Sequence, residues 1–268
     1  MALTIASFSK VSCKVCYLAN LRYAIDAMTV FEPYIPKIVL AIGAHADDID
    51  FGAAGSLAVW SGHGAEIHYL VLTDGSKGTS DQAMTTEQLV ATRQAEQHEA
   101  SQLIGAKDVH FLAYEDSMLE VTHDLKKDIC RVIRQIRPDT VVVMDPTVVY
   151  VADQGMINHP DHRAAGQATL DAVYPLARDH LSFPDLVQAE HLDPHKVEHL
   201  LLINPEKQNY YIDITSTLER KIEALGCHHS QFPDMTHIAD FLRQQAATLG
   251  SKTGSQYAEG FVRIDCPA

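Results

Sequence analysis

An open α/β fold, a mostly parallel sheet with helices on both faces, follows from three observations on this sequence. Short runs of branched and apolar residues alternate with stretches of helical spacing. That βαβ alternation repeats through the first half of the chain, which implies parallel pairing. The polar residues gather where two of the apolar runs stop, and open α/β sheets bind ligands at that carboxyl end.

Pro33 and Pro36 punctuate the chain before the first strand, Lys37 to Gly43. Ile49 to Ser61 is helix-compatible and ends at Gly62, and Glu66 to Thr73 alternates like a strand. A glycine-bearing loop, Asp74 to Thr79, follows. Thr86 to Ile104 is the longest helical pattern, opened by the cap Thr85-Thr86-Glu87-Gln88 and closed at Gly105. Val109 to Leu112 reads as a short strand, Leu125 to Ile136 as a helix stopped by Pro138, and Asp139 to Met144 as a buried strand. Asp145 to Asn158 reads as a loop, with a helix from Asp161 to Ala177 behind Pro160. Leu181 to His195 is expected to be a substrate-side loop. Val197 to Ile203 and Tyr210 to Ile214 are two further strands, then a helix runs from Ser216 or Thr217 to about Leu225 and a last one from Ile238 to Leu249. Residues 31–268 make one domain, and residues 1–30 read as an N-terminal extension.

Composition narrows the function. Against 35 acidic residues stand 21 Lys and Arg in 268 residues, a net charge of −14 with no basic run, so neither nucleic acid nor an anionic membrane is the expected partner. No apolar stretch approaches the roughly 18 to 20 residues of a membrane span. The segment from Met1 to Ala27 is interrupted by Lys10, Lys14, Arg22 and Asp26, unlike a signal peptide. Five cysteines without framework spacing fit a reduced, cytoplasmic protein, and the isolated Cys13-x-x-Cys16 reads as non-functional.

The chemistry is concentrated after the first strand, where His45, Asp47 and Asp48 put three ionisable groups within four residues. A structural histidine and a helix-capping pair would account for one carboxylate, not for three such groups at the end of an apolar strand without a cation. His45 and Asp48 stand three apart and converge on one ion; Asp47 is displaced, free to act beside it. A mononuclear hydrolytic site needs three protein ligands, an open position and a base that does not bind the metal. The missing ligand has to come from a distant segment, and His159-Pro160-Asp161-His162 combines two His and an Asp more tightly than any other. First and fourth strands must then be neighbours, as a doubly wound order switching at the first strand provides.

These stretches resemble the LmbE-like, or PIG-L, family of zinc-dependent N-deacetylases. Ala44-His45-Ala46-Asp47-Asp48-Ile49-Asp50, with Gly52 and Gly55, is similar to its A-H-P-D-D-x-E hallmark, and His159-Pro160-Asp161-His162 matches its H-P-D-H. Thr73 to Gly78, Arg93-Gln94-Ala95-Glu96, His228-His229-Ser230-Gln231 and Tyr257 to Phe261 repeat lesser features. The resemblance implies a Rossmann-like fold and removal of the acetyl group from an N-acetylglucosamine-type substrate. It implies His45, Asp48 and His162 as metal ligands, with an Asp48 oxygen within about 3 to 4 Å of a His162 ring nitrogen. Asp47 would be the general base, and His159, oriented by Asp161, would stabilise the oxyanion. Zinc is the implied cofactor, and iron(II) suits the same ligands. Arg93 and His228 are candidate substrate contacts, and an Arg93 to Glu96 helix pair is the alternative for the first. Homo-oligomers are frequent in the family.

Two departures stand out: Ala46 replaces a proline and Asp50 replaces a Glu. A tyrosine found shortly before H-P-D-H in some members is Ile157 here, which leaves Tyr150 or another residue to substitute. The competing functions are hydrolysis of a larger sugar-conjugate amide and a non-catalytic sugar- or nucleotide-binding module. Contacts to the rest of the substrate are expected from residues 79–85, 148–155 and 181–192.

Overall fold

The computed structural model describes residues 34–267. The N-terminal extension and the Cys13, Cys16 pair lie outside them. Strand β1 (Ile38–Gly43) pairs in parallel with β2 (Glu66–Thr73) on one side and β4 (Thr140–Met144) on the other. β2 carries β3 (Asp108–Tyr114), and β4 pairs in parallel with β7 (His199–Ile203). The sheet runs β3-β2-β1-β4-β7 and continues through β9 (Ala258–Asp265) to β8 (Tyr210–Asp213), so the order reverses between β1 and β4, the neighbours required for the two motifs to meet. Leu40 and Ile42 on one face and Val39 and Ala41 on the other are all essentially unexposed, which is why β1 carries no polar alternation.

Helix α1 (Asp48–Gly62) leaves β1; α2 (Thr86–Ile104) starts at a Thr85 and Gln88 capping box and ends at left-handed Gly105, as expected from sequence. Helices α3 (His123–Ile136) and α4 (Pro160–Val173) pack Ile129, Ile133, Ala165, Ala168 and Ala172 against Leu40, Ile42, Val141 and Val143. A Cβ on Gly166 would lie 2.4 Å from the Met144 carbonyl oxygen, so only glycine lets α4 approach the end of β4 this closely.

Four stretches differ from expectation. The loop after β4 contains a small hairpin, β5 (Tyr150–Val151) and β6 (Met156–Ile157). The helix expected through Ala177 stops at Val173, because the residue before Pro175 is driven out of helical geometry. A short helix, α5 (Pro184–Gln188), occupies the next loop. β8 (Tyr210–Asp213), α6 (Leu218–Gly226) and α7 (Thr236–Gly250) are followed by β9 (Ala258–Asp265), a strand that sequence reading does not assign. β9 lies antiparallel between β7 and β8, and Glu259, Gly260, Arg263 and Asp265 blur its apolar pattern. No helix among the described residues is long and apolar enough to cross a membrane.

Candidate active site

The turn from β1 into α1 is built around an unusual backbone. Asp47 has φ 93°, a left-handed conformation that costs a non-glycine residue about 1 to 3 kcal/mol and survives only when neighbours hold it. Its N–H donates to Gln97 Oε1 at 3.1 Å, and its carbonyl accepts from the Phe51 N–H at 2.8 Å as α1 begins. Asp48 turns back, accepting the His45 N–H at 2.8 Å. Its carboxylate stands between two imidazoles, Oδ1 being 3.0 Å from His162 Nε2 and Oδ2 3.6 Å from His45 Nδ1. The separation expected for the two motifs is therefore met.

The far nitrogen of each imidazole is held from behind. Asn158 donates through its amide nitrogen to the Val148 carbonyl at 2.7 Å, leaving its oxygen to accept from His162 Nδ1 at 3.0 Å. His45 Nε2 lies 3.2 Å from Asp161 Oδ2 and 3.3 Å from Asp116 Oδ1. Carboxylates only accept, so Nε2 carries the proton and Nδ1 is the nitrogen turned to Asp48. His159 stands edge-on to His45 with ring centroids 4.7 Å apart. Three ring nitrogens from His45, His159 and His162 lie close enough to share one ion.

A second set, His45, Asp116 and Asp161, is equally close but is fully buried and already satisfied. Asp161 accepts from the Ser117 and Leu119 N–H groups at 2.7 and 3.3 Å, and Asp116 from the Lys77 N–H at 3.2 Å and the Ser117 hydroxyl at 3.1 Å. These two acids orient His45 and offer no open position. Such carboxylate-backed imidazoles are the usual outer layer of a catalytic metal site.

The expectation that Asp161 orients His159 needs correction. Its carboxylate serves His45, and its Oδ1 is 3.9 Å from His159 Nδ1; the link to His159 is the Asp161 main-chain N–H, which donates to Nδ1 at 3.2 Å. His228 also differs. It is fully buried, with Nε2 2.9 Å from Asp50 Oδ2, so it touches no substrate. Asp50 further accepts from Tyr69 Oη at 3.0 Å and Gln97 Nε2 at 2.7 Å. A buried network under the turn thus links His228, Asp50, Gln97 and the Asp47 backbone. Arg93, 5 % exposed, donates to the carbonyls of Ala46 at 3.1 Å and Lys77 at 3.2 Å and lies 3.7 Å from Asp47 and 3.6 Å from Asp116. It does not pair with Glu96, whose carboxylate accepts from Ser230. Tyr150 sits opposite Ile157 in the β5-β6 hairpin, on its exposed side.

Asp116, Asn158 and Gln97 are the supporting groups that sequence reasoning misses. Only Asn158 had a signal, its place beside the second motif.

The electrostatics follow from this crowding in the protein alone. Burial and the charge of Asp48 push Asp47 up to about 7, against the opposing pull of Arg93. Burial acts against the charge on His45, but hydrogen bonds to Asp116 and Asp48 outweigh it and lift the group to about 10. Despite burial, His162 and His45 hold Asp48 well below the usual carboxylate range. Burial and the neighbouring His45 lower His159.

Residues 40–173 match the family described as PIG-L, GlcNAc-PI de-N-acetylase. The diacetylchitobiose deacetylase of Thermococcus kodakarensis is 35 % identical over 226 residues, 84 % of this chain and 82 % of that protein. A probable N-acetyl-α-D-glucosaminyl L-malate deacetylase of Bacillus anthracis is 27 % identical over 77 % of this chain and 85 % of its own. The solved N,N'-diacetylchitobiose deacetylase of Pyrococcus horikoshii, bound to an inhibitor, superposes with a TM-score of 0.80 at 31 % identity, covering 96 % of this chain and 95 % of that one. On these likenesses and on a motif match spanning half its length, the chain belongs to the PIG-L family.

Proposed function

We propose that this chain is a metal-dependent N-deacetylase, hydrolysing the acetamide of an N-acetylglucosamine-type substrate to a free amine and acetate. One observation carries the reading: the Asp48 carboxylate lies between His45 Nδ1 and His162 Nε2, each ring fixed from behind, with Asp47 beside them and uncommitted to that cluster. The donor set of two imidazoles and one carboxylate fits a catalytic zinc or iron(II) ion held by His45, Asp48 and His162. Such an ion, when bound, lowers the pKa of a coordinated water and polarises a carbonyl.

The chain's own residues do the rest. Asp47, beside the cluster, accepts a proton from a water molecule as that water's oxygen bonds to the amide carbon. When the carbon-nitrogen bond breaks, the same carboxyl returns that proton to the departing amine. His159 accepts the Asp161 N–H on Nδ1, so the neutral ring carries its proton on Nε2. That Nε2–H donates to the carbonyl oxygen as negative charge develops. Arg93 lies between Asp47 and Asp116 and holds both carboxylates in place.

The reading is tested by acetate release from N-acetylglucosamine and its conjugates by protein loaded with zinc or iron(II). Acetate formation abolished by chelation and restored by metal is expected. Release of a larger acid from a conjugate with no acetate would favour an amidase, and tight sugar binding without turnover a binding module.

A further inference from the structure

The backbone of Asp47, left-handed at φ 93°, is held by a side chain outside the metal-facing cluster. Its N–H donates to Gln97 Oε1 at 3.1 Å. Gln97 is fully buried, so the other end of its amide also needs a partner, and Nε2 donates to Asp50 Oδ2 at 2.7 Å.

The two ends of an amide are alike in shape and opposite in polarity. Which end of Gln97 meets the Asp47 N–H is therefore settled at the far end, by Asp50. A carboxylate only accepts, so it takes the NH2 of Gln97 and leaves the oxygen for Asp47. Turned over, Gln97 would set its NH2 against the Asp47 N–H and its oxygen against the Asp50 carboxylate, two repulsive contacts shut away from solvent. Two further donors hold Asp50 in the accepting role: Tyr69 Oη, 3.0 Å from Oδ1, and His228 Nε2, 2.9 Å from Oδ2. His228 Nδ1 has no hydrogen-bond partner among the described residues, so that ring serves Asp50 alone.

We propose that Asp50 is a positioning residue for Asp47: its carboxylate selects the orientation of the Gln97 amide and thereby supplies the acceptor that holds the base in its left-handed turn. The inference rests on the deacetylase reading for the role of Asp47 and adds a residue that is itself fully buried and does not touch substrate. Bulk and burial alone would be served by either polarity at these two positions. Positioning requires an acceptor at residue 50 facing a donor at residue 97, or both exchanged together with an acceptor left over for the Asp47 N–H.

The test reverses that polarity. Asp50→Asn lets Gln97 turn over, so kcat for acetate release from N-acetylglucosamine should fall by about tenfold or more, with KM and metal content near wild type. Exchange of the Asp47 amide hydrogen, followed by NMR, should quicken by about tenfold or more. Gln97→Glu alone sets two carboxylates against each other and should be impaired as well. In Asp50→Asn/Gln97→Glu a donor at residue 50 faces a carboxylate at residue 97 whose other oxygen accepts the Asp47 N–H. The double variant should recover kcat and the Asp47 exchange rate to within about threefold of wild type, better than either single change. If a single variant does not fold, recovery of a cooperative melt together with acetate release in the double variant supports the same conclusion. Wild-type kcat and exchange in Asp50→Asn, or a double variant as impaired as the singles, would overturn the proposal. Acetate released by none of the proteins, wild type included, would remove the deacetylase reading, and the Asp47 exchange rates would still decide what Asp50 holds.

Discussion

Gln97→Leu isolates the support under the catalytic turn without touching His45, Asp48 or His162. The fully buried amide makes two bonds, accepting the Asp47 N–H at 3.1 Å and donating to Asp50 at 2.7 Å. Asp50 keeps Tyr69 and His228 after the change, so losing one of three donors costs about 1 to 2 kcal/mol. The unpaired Asp47 N–H adds about 1 to 2 kcal/mol. Together these predict a loss of about 2 to 4 kcal/mol, or roughly 5 to 12 °C in Tm for a chain of this size. Asp47 is at φ 93°, a conformation that survives only when its neighbours hold it; losing the Gln97 acceptor displaces the base and lowers kcat by about tenfold or more. Differential scanning calorimetry, metal analysis and steady-state acetate release are the assays. Metal content should stay near wild type. A variant melting within about 1 °C of wild type, with unchanged kcat, would refute the idea that this network holds the base.

Asp47→Asn should keep the metal and reduce turnover by about 10²-fold or more, checked by metal analysis beside single-substrate kinetics; wild-type turnover would make another group the base. Asn158→Leu removes the acceptor behind His162 and should weaken metal affinity by about 10- to 100-fold, read by competition with a chelator. His45, raised to about 10, holds a proton at neutral pH that coordination must displace. Titration calorimetry of metal-free protein at pH 7 in buffers of differing ionisation enthalpy should therefore report proton release. Affinity should fall as pH is lowered, about one decade per pH unit for each proton displaced.

Much of this site was legible because its residues are dense and chemically extreme. His45, Asp47 and Asp48 in four residues, and two His flanking an Asp, have no economical structural explanation, and the parallel alternation requires a switch point that brings them together. The supporting layer was not legible for the opposite reason. Gln97 is an uncharged residue on a helix whose apolar stripe is weak, so nothing marks its inward face. Asp116 is one acid among many, made functional only by a turn that aims it at a residue far back in the chain. Arg93 and His228 were visible as polar residues near matching motifs, but spacing cannot tell a group facing substrate from one facing the interior. β9 was hidden by its charged residues, of which Arg263 and Asp265 pair with each other and the buried Glu259 is matched by Lys221.

The placement of β9 orders events during synthesis. β8 reaches the sheet only through β9, and β9 is the last of the described strands to leave the ribosome. Until then β7 presents an unpaired edge, β8 has nowhere to dock, and a nascent chain already holding both motifs carries a template for mispairing. Glu259, which arrives on that strand, also binds the backbone of the helix that begins at Asp48 and neutralises Lys221. The first 173 residues contain every group that faces the proposed ion, yet the helix behind one of them gains its last anchor only when residue 259 has been made.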